Sequence, residues 1–187
     1  MSFKIIPSHV AILVPSVRKA ADCLQQFDFQ IGKEEVWDGE GTKEIYVERD
    51  KGNALLLMEP VKPGAYQRAL EKRGPGLHHL AIDVLNINEF MEQIKNTSWK
   101  THSISEKTLK QTQTAWLYQV GFPSLIEVQQ RDELGDLPNF VNHVNLIAQN
   151  IQPESVKAIG LQNIVHINAQ ENSLDINGHR ILVKDLF

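Results

Sequence analysis

His9-Val10-Ala11-Ile12-Leu13-Val14-Pro15-Ser16-Val17 returns twice along the chain. It recurs as His79-Leu80-Ala81-Ile82-Asp83-Val84-Leu85-Asn86-Ile87 and as His143-Val144-Asn145-Leu146-Ile147-Ala148-Gln149-Asn150-Ile151. Each copy begins with histidine and places apolar residues one, three, five and eight positions later. Alternation of period two is a strand that buries one face. In the first two copies the strand runs into a segment with helical spacing, so the repeat opens a β-α unit. Repeats fix the architecture before any single residue is interpreted.

Working outward from the first copy, residues 8–14 form the strand, Ser16 caps a helix, and Val17, Ala20, Ala21, Leu24 and Phe27 line one helical face. Strands follow at 34–37, 43–48 and 54–58, separated by Asp38-Gly39-Glu40-Gly41 and Arg49-Asp50-Lys51-Gly52-Asn53. Residues 1–60 are thus one β-α-β-β-β module, and 61–76 a linker with a short helix over 66–72. A second module over 77–130 repeats the order. Asn86 and Glu89 have capping spacing, Ile87, Phe90, Met91 and Ile94 form the buried stripe, and strands follow at 101–104, 114–119 and 125–129.

The third copy has a shorter sequel: strand 142–148, helix 153–159, then strands at 164–169, 173–176 and 180–183, with Asn177-Gly178 as a hairpin turn. The predicted fold class is α+β. Paired βαβββ modules in residues 1–130 form a cup-shaped mixed sheet, and 131–187 add a shortened third βαβββ-like copy. Such a partial module cannot bury its own sheet, so it packs on the first pair or on a second chain, as in a homodimer.

A formal charge of -4 and a pI near 6.0 exclude a phosphate-neutralising surface, and with it nucleic-acid binding. No apolar run approaches the roughly 18 residues of a membrane span. The single cysteine, Cys23, excludes an intramolecular disulfide and fits a reducing compartment. A cytoplasmic protein without nucleic-acid or membrane partners is expected. Cys23 falls beside Leu24 in the first helix, which gives it a packing role.

Three further stretches carry a resemblance: Leu57-Met58-Glu59-Pro60, Leu70-Glu71-Lys72-Arg73-Gly74-Pro75-Gly76-Leu77-His78-His79-Leu80-Ala81, and Leu125-Ile126-Glu127-Val128. With His9-Val10-Ala11-Ile12 they resemble the vicinal-oxygen-chelate superfamily, the glyoxalase/bleomycin resistance/dioxygenase proteins. In motif they are nearest to methylmalonyl-CoA epimerase. The likeness spans residues 8–130 and leaves 131–187 unmatched. Two segments depart from the epimerase pattern: 106–114 replaces a basic, Gly-containing loop, and 118–123 lacks a His-Pro signature.

The resemblance implies a small-molecule enzyme in which a divalent metal (Zn, Co, Mn, Ni or Fe) stabilises an enediolate or enolate. Its ligand positions fall on His9, His79 and Glu127. The fourth falls on Leu56, which cannot coordinate. Glu40 and Glu127 match the two carboxylate bases. Two imidazoles and one carboxylate also make the triad of Fe(II) oxygenases. A third reading is a non-catalytic binding protein with a degenerate metal site. His143 is expected to be a remnant of duplication without ligand partners. His78 should point to the opposite strand face from His79 by alternation, as a surface or supporting residue.

Overall fold

A computed structural model describes residues 4–187. The first module comprises β1 (Ile5–Leu13), α1 (Val17–Gln25), β2 (Ile31–Trp37), β3 (Thr42–Val47) and β4 (Ala54–Pro60). A crossover helix α2 (Ala65–Arg73) leads to β5 (Gly76–Val84), α3 (Ile87–Ile94), β6 (Lys100–Thr101), α4 (Ser105–Thr112), β7 (Thr114–Tyr118) and β8 (Leu125–Gln130). The C-terminal part holds β9 (Val141–Leu146), α5 (Pro153–Ala158), β10 (Val165–Ile167), β11 (Ser173–Ile176), β12 (His179–Leu182) and a closing 3-10 turn.

Eight strands form one mixed sheet in the order β2-β3-β4-β1-β5-β8-β7-β6. In each half the first strand runs parallel to the last, β1 beside β4 and β5 beside β8. The halves meet at the antiparallel β1–β5 seam. The expected duplication of β-α-β-β-β units is therefore present.

Local chemistry sets the helices that cover one face. Ser16 Oγ accepts from the Lys19 amide, and Val17, Ala20, Ala21 and Leu24 are the buried stripe of α1. Asn86 Oδ1 accepts from the amides of Asn88 and Glu89, and α3 buries Ile87, Phe90 and Ile94. Both stripes join Val10, Ile12, Leu80 and Ile82 in a core that continues into the C-terminal part through Phe140, Val144 and Leu174. Burying a side chain of this size fully contributes about 1.5–3 kcal/mol. On the other face, Ala11, Leu13, Leu56 and Met58 form a small apolar cluster. Tyr66, Ala69 and Leu70 of α2 cover it.

The second module differs from expectation between β6 and β7. The strand expected at 101–104 is reduced to Lys100–Thr101, and residues 105–112 form α4. The buried Ser105 anchors it, its Oγ donating to the Trp116 carbonyl and accepting from the Trp116 amide. Thr108 Oγ1 donates to the Thr114 carbonyl.

The C-terminal part has the expected element order and the Asn177-Gly178 hairpin, both turn residues at positive φ. Its pairing departs from the other two units. The order β10-β9-β11-β12 sets β9 parallel to the strand that follows its helix, not to the last strand. Residues 147–164, which include α5, form the crossover that a parallel β9–β10 pair needs. This sheet docks on the same chain. Phe140 stacks edge-on against Phe29, Trp99 Nε1 donates to the Ser155 carbonyl, and Asn53 Nδ2 donates to the Val141 carbonyl. Gly121 lies so close to the Gln149 carbonyl that a Cβ would sit 2.1 Å from its oxygen.

Cys23 is exposed, contrary to the expected packing role. It lies off the stripe that α1 buries. Among the described residues, no helix is long and apolar enough to cross a membrane.

Candidate metal centre

The β1–β5 seam positions two histidines through two interruptions of its register. Pro7 pairs with Ile82 and His9 with Ala81, so Ser8 has no partner. Ala11 pairs with His79 and Ile12 with Leu77, so His78 has none. An extra residue of this kind is a β-bulge, which breaks alternation and re-aims side chains. Leu77 and Leu80, three residues apart, both pack against the main core, leaving His78 and His79 together on the other side. His78 is 6% exposed, and its Nδ1 lies 2.8 Å from His79 Nδ1. The expectation that His78 and His79 point to opposite faces is thus overturned by the bulge. Ser8 Oγ stands 3.4 Å from His9 Nδ1, a looser counterpart in the first module.

His9 Nε2 and His79 Nε2 are 3.0 Å apart, and Glu127 Oε2 stands 3.6 and 3.3 Å from them. Donors about 2.1 Å from one ion, at angles of about 90–109°, stand about 3.0–3.4 Å apart. Two of the three separations fall in that range, and the 3.6 Å between His9 and Glu127 lies just above it. The three atoms are therefore close to the spacing that one small cation needs. Among the described residues this is the one group of three His, Cys, Asp or Glu side chains converging within 4.8 Å.

The protonation states suit coordination. Burial lowers the pKa of both rings to about 3; for His9 the neighbouring His79 adds to this and Glu127 opposes it. Both imidazoles are neutral near pH 7, the form that offers a lone pair to a metal. With neutral rings, the approaches of Glu127 are not ion pairs. The Tyr46 and Trp116 rings stand edge-on to His9 and His79 at 5.9 and 5.1 Å and wall the group on either side.

The two halves of the sheet also show which residue stands where Glu127 stands in the other half. Glu127 pairs with Ala81, two residues beyond His79. The corresponding pair in the first half is Ala11 with Leu56, two residues beyond His9. Leu56 thus takes the place that symmetry assigns to a fourth donor, and it is buried in the apolar cluster under α2.

Glu40 lies in the turn before β3 and outside the converging donors. Tyr66 Oη donates to its Oε2 at 3.1 Å, and the Tyr66 ring packs 5.0 Å from that of His78. Desolvation raises the Glu40 pKa, the Tyr66 bond opposes this, and the charge of Glu127 adds to it. Sequence reasoning missed Glu44, whose Oε1 accepts from Thr42 Oγ1 at 2.8 Å and whose pKa burial raises to about 7. The signal was available: Glu44 falls between Thr42 and Tyr46 in the period-two pattern of β3. His143 does have neighbours, with Asp175 Oδ2 at 3.7 Å and the His166 ring stacked at 4.6 Å. Cavities of about 600 and 150 Å³ lie elsewhere, the larger beside His143 and Asp175 and the smaller beside Arg73 and Pro123.

A family model described as the glyoxalase/bleomycin resistance protein/dioxygenase superfamily matches residues 8–116. A hypothetical protein from Bacillus halodurans shares the fold with a TM-score of 0.57 at 21% identity, over 71% of this chain and 99% of its own. Methylmalonyl-CoA epimerase from Mycobacterium tuberculosis gives 0.52 at 20%, over 67% and 87%. A selenomethionine methylmalonyl-CoA epimerase gives 0.53 at 18%, over 71% and 99%. Identities this low speak to fold alone. No curated protein matches the sequence.

Proposed function

Because the chain belongs to the glyoxalase/bleomycin resistance protein/dioxygenase superfamily, we propose that His9, His79 and Glu127 hold one divalent metal ion in a small-molecule enzyme of glyoxalase or epimerase type. The observation that carries this reading is the convergence of two neutral imidazole nitrogens and one carboxylate oxygen at 3.0–3.6 Å. A bound ion supplies a Lewis acid for a substrate carbonyl or carboxylate oxygen.

The chain's own groups supply the rest. Glu40, with its raised pKa and its bond from Tyr66, is suited to take a proton from the carbon beside that carbonyl and to return it. Glu127, held by β8 against β5, orients the donor set. The Tyr46 and Trp116 rings pack edge-on beside the two imidazoles.

The neutral Leu56 in the fourth place supports a second reading. A set of two histidines and one carboxylate leaves open positions of the kind an Fe(II) oxygenase uses. Metal analysis of protein purified without chelator tests both. About one equivalent is expected, and less than about a tenth would overturn both and leave a binding protein. Exchange of a substrate α-proton into deuterated water identifies the isomerase type. Oxygen uptake with catechols identifies the oxygenase.

A further inference from the structure

The bulge at His78 brings a third imidazole to the centre, on the far side of the His79 ring from Glu127. His79 has two ring nitrogens and each meets a histidine: Nε2 faces His9 at 3.0 Å and Nδ1 faces His78 at 2.8 Å. A neutral imidazole carries its proton on one nitrogen only, so the partner at Nδ1 decides whether Nε2 is bare. Metal-binding histidines generally donate their second N–H to an acceptor, which fixes the tautomer and the ring orientation.

We propose that His78 is a positioning residue that accepts the His79 Nδ1 proton and so holds a bare Nε2 toward His9 and Glu127. This rests on the metal-site reading above for its functional consequence. His78 is itself fixed. It is buried, the Tyr66 ring of α2 packs against it, and the strand register leaves it unpaired on β1. The two contacts admit one consistent assignment, in which His9 Nε2 donates to His79 Nε2 and His79 Nδ1 donates to His78 Nδ1. With both Nε2 lone pairs committed to a metal, the His9 proton would sit on Nδ1, which Ser8 Oγ faces. The residue before each ligand histidine is thus the bulged residue, and its side chain meets that histidine's Nδ1.

The test compares wild type, His78→Leu and His78→Asn after removal of metal, titrated with Co²⁺ by calorimetry. Asparagine places an amide oxygen where Nδ1 stood; leucine offers no acceptor. Leucine is expected to weaken Co²⁺ binding about 10–100-fold, and asparagine to restore it to within about threefold. Circular dichroism and thermal melting establish that each variant is folded. Long-range ¹⁵N–¹H spectra of metal-free wild type should place the His79 proton on Nδ1. Equal Co²⁺ affinity for wild type and His78→Leu overturns the proposal, as does a His79 proton on Nε2 or a failure of asparagine to rescue. Wild type that binds less than about a tenth of an equivalent of Co²⁺ overturns the metal reading instead, and the tautomer spectrum then decides the His78–His79 bond alone.

Discussion

Leu56 and Glu127 occupy the same place in the two halves of the sheet. Each lies on the last strand of its module, opposite the residue two beyond the histidine of the converging group, Ala11 in one half and Ala81 in the other. One half presents a carboxylate to the centre and the other an apolar side chain packed against Leu13, Met58 and Leu70. The centre is therefore asymmetric although the backbone around it is nearly two-fold.

Leu56→Glu tests that equivalence, and its two effects have opposite signs. Without metal, a carboxylate in the apolar cluster is expected to destabilise the protein by on the order of 3 kcal/mol. With metal, a fourth ligand is expected to tighten binding about tenfold or more. Denaturant melts in EDTA and Co²⁺ titrations read the two separately. A destabilised variant whose Co²⁺ affinity matches wild type would show that this position does not reach the ion.

Glu44 should give the metal-free protein a distinct pH signature. Burial is the main cause of its raised pKa, the Thr42 bond opposes it, and the charges of Glu40, Glu35 and Glu127 add. A folded pKa above the unfolded value favours the protonated fold, so this stabilisation is full below about 4.5 and is lost as pH rises through about 7. Glu44→Gln keeps an acceptor for Thr42 and cannot ionise. Its stability relative to wild type is expected to grow between pH 5 and pH 8 in EDTA. His9 and His79, whose pKa values are lowered, reduce stability as pH falls below 6.5, and they do so in both proteins. Parallel profiles for the two proteins would refute the assignment.

His9, His79 and Glu127 were legible as candidates through the family resemblance, because the strands that carry them match its pattern, and the structure brings the three together. His79 and Glu127, on different strands, were placed together by that resemblance. His78 could not be placed with them, because a bulge breaks the count in twos and leaves no mark in composition. The C-terminal part shows a second limit: element order does not specify pairing, and β9 lies beside β10 although its unit has the same order of elements. The helix at 105–112 was hidden by a polar composition that reads as loop, and its stability comes from Ser105 and Thr108 bonding to β7. Cys23 was legible and misread. At about 100° per residue it falls well away from the stripe of Val17, Ala20, Ala21 and Leu24.

That exposure makes a direct expectation for Cys23. A thiol on the outer face of α1 should react with a disulfide reagent in native buffer, giving one equivalent without denaturant. Reaction only after unfolding would place Cys23 inside the fold.

Phe140 tests whether the C-terminal sheet and the eight-stranded sheet melt together. It is 2% exposed, belongs to the continuous core, and stands edge-on to Phe29 at 5.0 Å. Phe140→Ala removes a ring from between the two sheets and is expected to cost about 3–5 kcal/mol. If the core is one cooperative unit, that loss appears in the unfolding of the whole chain. The tryptophans report the two regions at once, since Trp99 is bonded to Ser155 of α5 while Trp116 lies beside His79. Denaturant curves followed by tryptophan fluorescence and by far-ultraviolet circular dichroism should stay coincident in wild type and variant, both shifted to lower denaturant in the variant. A variant in which the two probes separate, with an early transition confined to the Trp99 region, would show that the C-terminal sheet unfolds on its own and that the shared core does not couple it to the metal centre.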